Sequence, residues 1–278
     1  MAEPRGHASS AVAWLLLGLA AAAVAAPFGW MLLTSLQPSV RAVLARPLRF
    51  PWPPSVGNYA EAWRSAPFGT YAMNSFVTSS AATLLQVLNA VLCAYAFTQL
   101  RFPGRNFLFT LVLVVLMIPS QVAIVPSYLV VSRLGWLDTY QGLIVPFAVD
   151  AFGVFLVRQT FLSIPADFAE AARIEGAGHV RIAFSILARL ALPALVAYAI
   201  MAFKWRWNDY FWVLLMTTKP AMRTLPVGVV MLKEVAEGGT RWHVLMAAVI
   251  ITIMPLMAAY AFLQKYFTNE HLQGGLKS

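Results

Sequence analysis

The charged stretch between residues 170 and 181 is the first candidate for chemistry in this chain. It reads EAARIEGAGHVR and lies between two long apolar runs. Its alanines allow another surface to approach closely, Glu170 and Arg173 offer polar contacts, and Phe168 and Ile174 offer side chains that fill a pocket on a partner. The pattern is typical either of a surface that docks another protein or of an interfacial loop packed on lipid headgroups.

Polar side chains also occur inside the apolar runs. Ser75, Ser79, Thr83, Gln86 and Asn89 fall on one face of a helix. Such a stripe faces protein or water rather than lipid, so it either bonds neighbouring helices or lines a path for a hydrophilic solute. Both interpretations stay open for the wider set of candidate path residues: Gln86, Asn89, Ser120, Gln121, Asp150, Asn208 and Asp209.

Several of these candidates have specific alternatives. Asp150 either accepts hydroxyl groups of a sugar or pairs with a cation on a partner subunit. Asp209 stands at i+3 from Arg206, so the two can form an ion pair, and the surrounding aromatic residues fit either an interfacial belt or a sugar-facing cluster. Ser120 and Gln121 follow Pro119, where a helix break either lines a cavity or only bends the helix.

Enzymatic chemistry has no comparable candidates. The four histidines are scattered, and Cys93 is the single cysteine, so the sequence predicts neither a metal site nor an internal disulfide. None of the five lysines follows a glycine, which excludes a phosphate-binding P-loop in this chain. We therefore predict no catalytic residue, no metal and no cofactor.

Composition shows that a membrane must position these residues. Of 278 residues, 60% are hydrophobic and 11% are charged, with a mean hydropathy of +0.71. We attribute the net charge of +9 to loops near anionic lipid headgroups rather than to nucleic-acid binding. The sequence predicts an all-α integral membrane protein with a single transmembrane domain over residues 1–278. Its six spans lie near 12–36, 71–99, 107–131, 142–160, 191–216 and 242–267.

The polar segment 161–190, between spans four and five, is predicted to form a helix–turn–helix at the membrane surface. Ser163 is expected to cap the first helix, and Gly176 and Gly178 to end it. Lysines and arginines divide equally between the two sides of this topology, so the positive-inside rule gives no orientation. The first span also resembles a signal-peptide core ending at Ala23-Val24-Ala25, but its apolar stretch is too long for one.

The sequence EAARIEGA, followed by Leu190-Ala191-Leu192-Pro193, resembles the EAA loop of ABC-importer permeases. The resemblance extends along the chain through Asn58-Tyr59, Phe102-Pro103-Gly104-Arg105, Trp207-Asn208-Asp209-Tyr210 and Gly274-Gly275-Leu276-Lys277. It is closest to the second permease subunit of carbohydrate importers, the MalG-like type. Departures from the family pattern are Glu175, where Asp is usual, and Ala197 and Val213, which put local kinks of span five in doubt.

This resemblance implies a role and a set of partners. The EAA loop would lie in the cytoplasm and dock an ATPase dimer through Phe168, Glu170, Ala171, Ala172, Arg173 and Gly176. Both termini would then be cytoplasmic, in a multi-pass protein of the inner membrane. A second permease subunit and an extracytoplasmic solute-binding protein would complete the importer.

The implied solute is a sugar or a related polyol or glycerol phosphate compound. The run from Glu237 to Trp242 resembles permeases for glycerol phosphate compounds. The alternatives are an ion-coupled secondary transporter, which needs paired intramembrane charges, and a membrane-embedded enzyme, which needs clustered acidic or histidine residues.

Overall fold

The computed structural model describes residues 7–235 and 241–263, and all regular structure within these ranges is helical, as predicted. A π-helical segment, Ile182–Leu187, and two 3₁₀ turns, Val145–Phe147 and Pro220–Met222, occur between α-helices. The α-helices are α1 His7–Ser35, α2 Val40–Ala45, α3 Gly57–Arg64, α4 Phe68–Gln99, α5 Arg105–Met117, α6 Ser120–Arg133, α7 Tyr140–Ile144, α8 Ala151–Ser163, α9 Asp167–Ile174, α10 His179–Arg181, α11 Ala188–Leu190, α12 Leu192–Trp207, α13 Phe211–Met216, α14 Leu225–Val235 and α15 Trp242–Leu263.

Two described helices are long and apolar enough to cross a membrane alone. They are α4 and the segment Ala13–Ser35 of α1. Three bent pairs reach that length only when each pair counts as one span, which gives up to five spans, and α15 adds a shorter apolar stretch, Trp242–Ala258. The six-span arrangement therefore stays a prediction, and residues 264–267 of its last span lie outside the described residues.

The third predicted span, 107–131, is not one straight helix. Helices α5 and α6 meet at 105°. Ile118 between them is extended (φ −82°, ψ 120°) because the residue before a proline is forced out of the helical region and Pro119 has no N–H to donate. By contrast, Pro126 lies inside α6 without ending it.

The fourth and fifth predicted spans are also broken. The segment Tyr140–Phe147 meets α8 at 41°, and the segment His179–Leu190 meets α12 at 88°. The second bend lies at Ala191, ahead of Leu192-Pro193. Three residues after Trp207 then separate α12 from α13, so the interval predicted as one span, 191–216, contains two helices.

The chain divides into two compact units, one formed by residues 1–68 with 229–254 and the other by 69–228 with 255–278. In the first unit, Asn58 ties α3 to the end of α1, because its amide donates to the carbonyl oxygens of Ser35 (2.7 Å) and Gln37 (2.8 Å). Glu61 of α3 also forms an ion pair with Arg241.

The second unit contains the core that positions the candidate sites. This core, here called the coupling core, joins α4, α8, α9, α12 and the segment 182–191. Its buried side chains are Ala90, Val91, Ala94, Tyr95, Val157, Phe161, Ala169, Ala172, Ile182, Ala183, Leu187, Ala188, Ala191, Leu195, Tyr198 and Ala202. Many are alanines, which permits the helices to approach closely.

A carboxylate fixes two loops of the same unit. Asp138 accepts hydrogen bonds from the Thr218 hydroxyl (2.5 Å) and from the backbone N–H groups of Thr218 (2.7 Å) and Lys219 (2.8 Å). The bond from the Thr218 side chain, followed by that from the Lys219 backbone, holds the pKa of Asp138 below its ordinary 3.8. The ionised carboxylate therefore stabilises this junction.

Candidate functional site

The predicted helix–turn–helix forms, but its first helix begins later than expected. Ser163 does not cap it: this residue ends α8, and its hydroxyl donates back to the Thr160 carbonyl (2.7 Å). Ile164 is extended (φ −82°, ψ 129°) before Pro165, so α9 starts only at Asp167. Asp167 and Glu170 lie in its first turn and Arg173 in its last, which matches the helix dipole at both ends.

Helix α9 has one buried face and one exposed face. Ala169 and Ala172, at 1% and 7% exposure, pack in the coupling core. Ala172, one of the expected coupling residues, is buried, and its side chain anchors α9 to the rest of the chain. Ile174 is 88% exposed and Phe168 is 49% exposed. The exposed surface, here called the coupling surface, comprises Phe168, Glu170, Ala171, Arg173 and Ile174.

The turn after α9 depends on a left-handed glycine. Gly176 has φ +82°, a conformation that other residues adopt only with strain. It permits the Ala177 N–H to reach back to the Ala172 carbonyl (2.9 Å), which closes the end of the helix. Gly178 then precedes α10 in an extended conformation. The prediction that glycines end this helix is confirmed.

Two polar contacts join this helix–turn–helix to α4, and neither was expected from the sequence pattern. Arg173 donates to the Gln99 side-chain oxygen (2.9 Å), and the Tyr95 hydroxyl lies 2.7 Å from His179 Nδ1. The Tyr95 and His179 rings also meet edge to face at 5.8 Å. Tyr95 and Gln99 are four residues apart, on one face of α4. Helical spacing therefore places the two together, but it does not show what they contact.

Ser75 and Asn89 of the polar stripe of α4 bond neighbouring segments, whereas the buried hydroxyls of Ser79 and Thr83 have no hydrogen-bond partner among the described residues. Ser75 accepts from the Leu225 N–H (2.9 Å). Asn89 donates to the carbonyl oxygens of Leu85 (2.8 Å) and Ala148 (3.0 Å), so both amide hydrogens are used inside the chain. Gln86 differs: it is 6% exposed and forms no hydrogen bond with a described residue.

Asp150 stands at a helix start rather than within a continuous span. Its Oδ2 accepts from the Gly153 N–H (2.9 Å), which caps α8, and from the Tyr198 hydroxyl (2.8 Å) of α12. A Cβ at Gly153 would overlap the Tyr198 ring, so the glycine permits this close approach. Asp150 therefore has a partner within its own chain.

The predicted pair between Arg206 and Asp209 forms at 3.0 Å. Asp209 also accepts from the Trp212 N–H (3.2 Å), and the Arg206 guanidinium lies 3.6 Å from the centre of the Phe147 ring. Asn208 donates to the Lys204 carbonyl (2.9 Å). These contacts join the end of α12 to α13 and to the 3₁₀ turn before α8.

Ser120 and Gln121 lie exposed at the bend between α5 and α6, with their side-chain oxygens 3.5 Å apart. The structure thus separates the path candidates into two sets. The side chains of Asn89, Asp150, Asn208 and Asp209 bond within the chain, whereas Gln86 and these two residues keep polar groups available. Among the described residues, no group of three or more His, Cys, Asp or Glu side chains is arranged to hold a metal ion.

Comparison with known proteins decides among the transporter classes. The family described as binding-protein-dependent transport system inner membrane component matches residues 86–270, a segment that includes α9 and α10. The chain belongs to this family. It is accordingly an inner-membrane transport component, and its apolar helices make it a multi-pass membrane protein.

Curated relatives of this family member are permeases. The sn-glycerol-3-phosphate transport system permease protein UgpE of Yersinia enterocolitica is 38% identical over 218 residues, which are 78% of this chain and 76% of that protein. The protein of the same name from Pectobacterium atrosepticum is 34% identical over 219 residues, 77% and 78% of the two chains. These relatives are transport proteins rather than enzymes.

Solved structures agree with this family assignment. A crystal structure of a bacterial ABC transporter involved in the import of the acidic polysaccharide alginate superposes with a TM-score of 0.85 at 26% identity, covering 96% of this chain and 99% of that one. A bacterial alginate ABC transporter crystallised with a pentasaccharide-bound periplasmic protein gives a TM-score of 0.64 at 13% identity, which shows a common fold. The prediction of an ABC-importer permease is confirmed, and the ion-coupled alternative is not favoured.

Proposed function

We propose that this chain is one of two permease subunits in an ATP-driven importer and that its coupling surface docks a separate ATPase. One observation carries this proposal: a short helix presents Phe168 and Ile174 outward while its opposite face is buried in the coupling core. An isoleucine that is 88% exposed on a charged helix is explained by a partner that covers it. Because α9 shares its core with α4, α8 and α12, a displacement of this helix by the ATPase would be transmitted to the spans.

The proposed topology follows from the ATPase being cytoplasmic. Residues 161–190 then face the cytoplasm, and six spans place both termini there too. In a Cys93→Ala background, Val180→Cys should be protected from impermeant thiol reagents in intact cells, whereas Lys219→Cys should react. Both native side chains are exposed, so accessibility within the chain does not bias the comparison. The opposite labelling pattern would overturn this topology.

The proposed solute is a sugar, a polyol or a glycerol phosphate compound, delivered by an extracytoplasmic solute-binding protein. The relatives named for sn-glycerol-3-phosphate transport support the phosphate-bearing class. Uptake of radiolabelled glycerol-3-phosphate and of a neutral disaccharide by cells expressing the complete importer separates these classes. The resemblance of residues 237–242 to glycerol phosphate permeases falls largely on 236–240, outside the described residues.

The proposed solute path uses Gln86, Ser120 and Gln121. Gln86 supports this proposal because its amide has no hydrogen-bond partner among the described residues and is free to bond a solute hydroxyl. Gln86→Leu should lower uptake severalfold with normal assembly, whereas Asn89→Leu should impair folding, since the Asn89 amide bonds two carbonyl groups. Normal uptake by Gln86→Leu would show that the path lies mainly in the partner permease.

Coupling is tested by Glu170→Lys, which reverses an exposed charge at the centre of the coupling surface. Uptake and co-purification of the ATPase should both fall while the chain stays in the membrane. Arg133→Glu is the matched control, because it reverses an exposed charge at the end of α6, on the other side of the proposed topology. Full uptake by Glu170→Lys would refute the docking role.

A further inference from the structure

Three arginines without carboxylate partners surround the start of α5. Within the described ranges, no carboxylate lies within ion-pair distance of Arg101, Arg105 or Arg158. Arg105 donates only to the Leu100 carbonyl (3.2 Å) at the end of α4. The Nε of Arg158 is buried and has no acceptor. Helix α5 packs on α8, and the Arg158 guanidinium lies over the ring of Phe109, one helical turn after Arg105 on α5.

This arrangement is unfavourable without an anion. Two neighbouring like charges repel, and a buried N–H donor without a partner loses its hydration and gains no bond. The Arg158 guanidinium lies 3.8 Å from the centre of the Phe109 ring, which stabilises the cation but leaves the buried Nε–H without an acceptor among the described residues. A phosphate would accept from both guanidinium groups, because Arg presents paired donors that match phosphate oxygens.

A groove of suitable chemistry is lined by two of these arginines, Arg101 and Arg105, while Arg158 reaches α5 at Phe109. The groove has a volume of about 380 Å³ and is lined by Arg101, Phe102, Gly104, Arg105, Asn106 and Phe107. Gly104 is left-handed (φ +80°) and provides no side-chain cap to α5, whose first N–H group, that of Arg105, donates to the Phe102 carbonyl (3.4 Å). Open space surrounds the position where a Cβ at Gly104 would stand, so an anion can reach the backbone there without obstruction.

The groove also lies where a membrane helix begins. Helix α5 is apolar beyond Asn106, and Phe107 is an exposed aromatic residue next to the arginines. Cations beside aromatic residues at the end of an apolar helix are typical of the headgroup region. We propose that this groove, with Arg101, Arg105 and Arg158, binds the phosphate of an anionic membrane lipid. The proposal holds for either orientation of the chain and goes beyond the transport function.

The test uses the full-length chain purified in detergent and titrated with phosphatidylglycerol or phosphatidylcholine. Native mass spectrometry measures the bound lipid. The wild type should prefer phosphatidylglycerol, and Arg105→Gln/Arg158→Gln should weaken that binding about 30-fold, on the basis of two cations near an anionic headgroup. Arg133→Gln, which removes an exposed arginine at the end of α6, is the matched control and should bind like the wild type. Equal binding by the double variant and the wild type would overturn the proposal.

Inorganic phosphate, compared with chloride at equal ionic strength, distinguishes a lipid from a free anion. Phosphatidylglycerol bound to the wild type should resist phosphate, and displacement by phosphate but not by chloride would overturn the lipid assignment.

Thermal unfolding keeps the test decisive if the double variant does not fold. Arg105→Gln should unfold no earlier than the wild type without lipid, because a repulsion is removed. Phosphatidylglycerol should raise the Tm of the wild type only. An equal rise in both proteins would refute the site.

Discussion

Replacing Ile174 with alanine should weaken docking of the ATPase roughly 30-fold without changing the stability of this chain. The side chain is 88% exposed, so its removal costs the isolated chain almost nothing. In a partner's cleft, by contrast, burying the methyl and methylene groups that alanine lacks contributes about 2 kcal/mol. At about 1.4 kcal/mol per tenfold change, this equals a roughly 30-fold rise in Kd.

The assay measures the Kd of purified ATPase subunit for permease complexes in lipid nanodiscs, together with the Tm of each variant in detergent. Leu134→Ala is the matched control, because Leu134 is an exposed branched side chain at the end of α6. An unchanged Kd for Ile174→Ala, or an equal change for Leu134→Ala, would refute the reasoning. A parallel fall in Tm would show that Ile174 stabilises the fold instead.

Three further predictions concern the elements around this surface. Gly176 and Gly135 are both left-handed glycines with open space around them, so replacing either with alanine should lower the free energy of unfolding by about 1–2 kcal/mol, measured from Tm. Only Gly176→Ala should also reduce uptake. Equal uptake losses in Gly176→Ala and Gly135→Ala would contradict the coupling role. Tyr198→Phe should lower the free energy of unfolding by about 1.5–3 kcal/mol, because the Asp150 carboxylate loses a buried hydrogen-bond donor. An altered KM for uptake at an unchanged Tm would instead indicate that Asp150 and Tyr198 contact the solute. When the pH falls through the depressed pKa of Asp138, amide hydrogens of the 217–224 loop should exchange faster, because protonation removes the stabilising carboxylate. Asp138→Asn should abolish this pH dependence. Faster exchange at low pH that persists in Asp138→Asn would refute the role of Asp138.

The helical fold and the turn of the coupling element could be predicted because their determinants are local. Apolar runs of sufficient length require helices in a membrane, and a glycine next to a helix end marks a left-handed cap. By contrast, the sequence could not predict that Ala171 is exposed while its neighbour Ala172 is buried. Both are alanines in one short helix, and the packing of α9 on the distant segment 182–187 determines which of them is covered.

The path candidates show a second limit of the sequence. A polar residue in an apolar run indicates that some partner exists, but its identity depends on contacts distant in the chain. Asp150 bonds Tyr198, which is 48 residues away, and Asn89 bonds the carbonyl of Ala148, 59 residues away. Prolines in the sequence marked possible breaks, but the outcome depends on packing: Pro119 coincides with a bend of 105°, whereas Pro126 lies within α6.

Site-specific photo-crosslinking tests the central claim most directly. A benzophenone amino acid replaces Ala171, at the centre of the coupling surface, or Leu134 as control, in cells that express the complete importer. Both side chains are exposed in this chain. We expect a crosslink from position 171 to a P-loop ATPase, identified by mass spectrometry, and none to that ATPase from position 134. Crosslinking of position 171 only to lipid, or of the ATPase only to position 134, would contradict this claim.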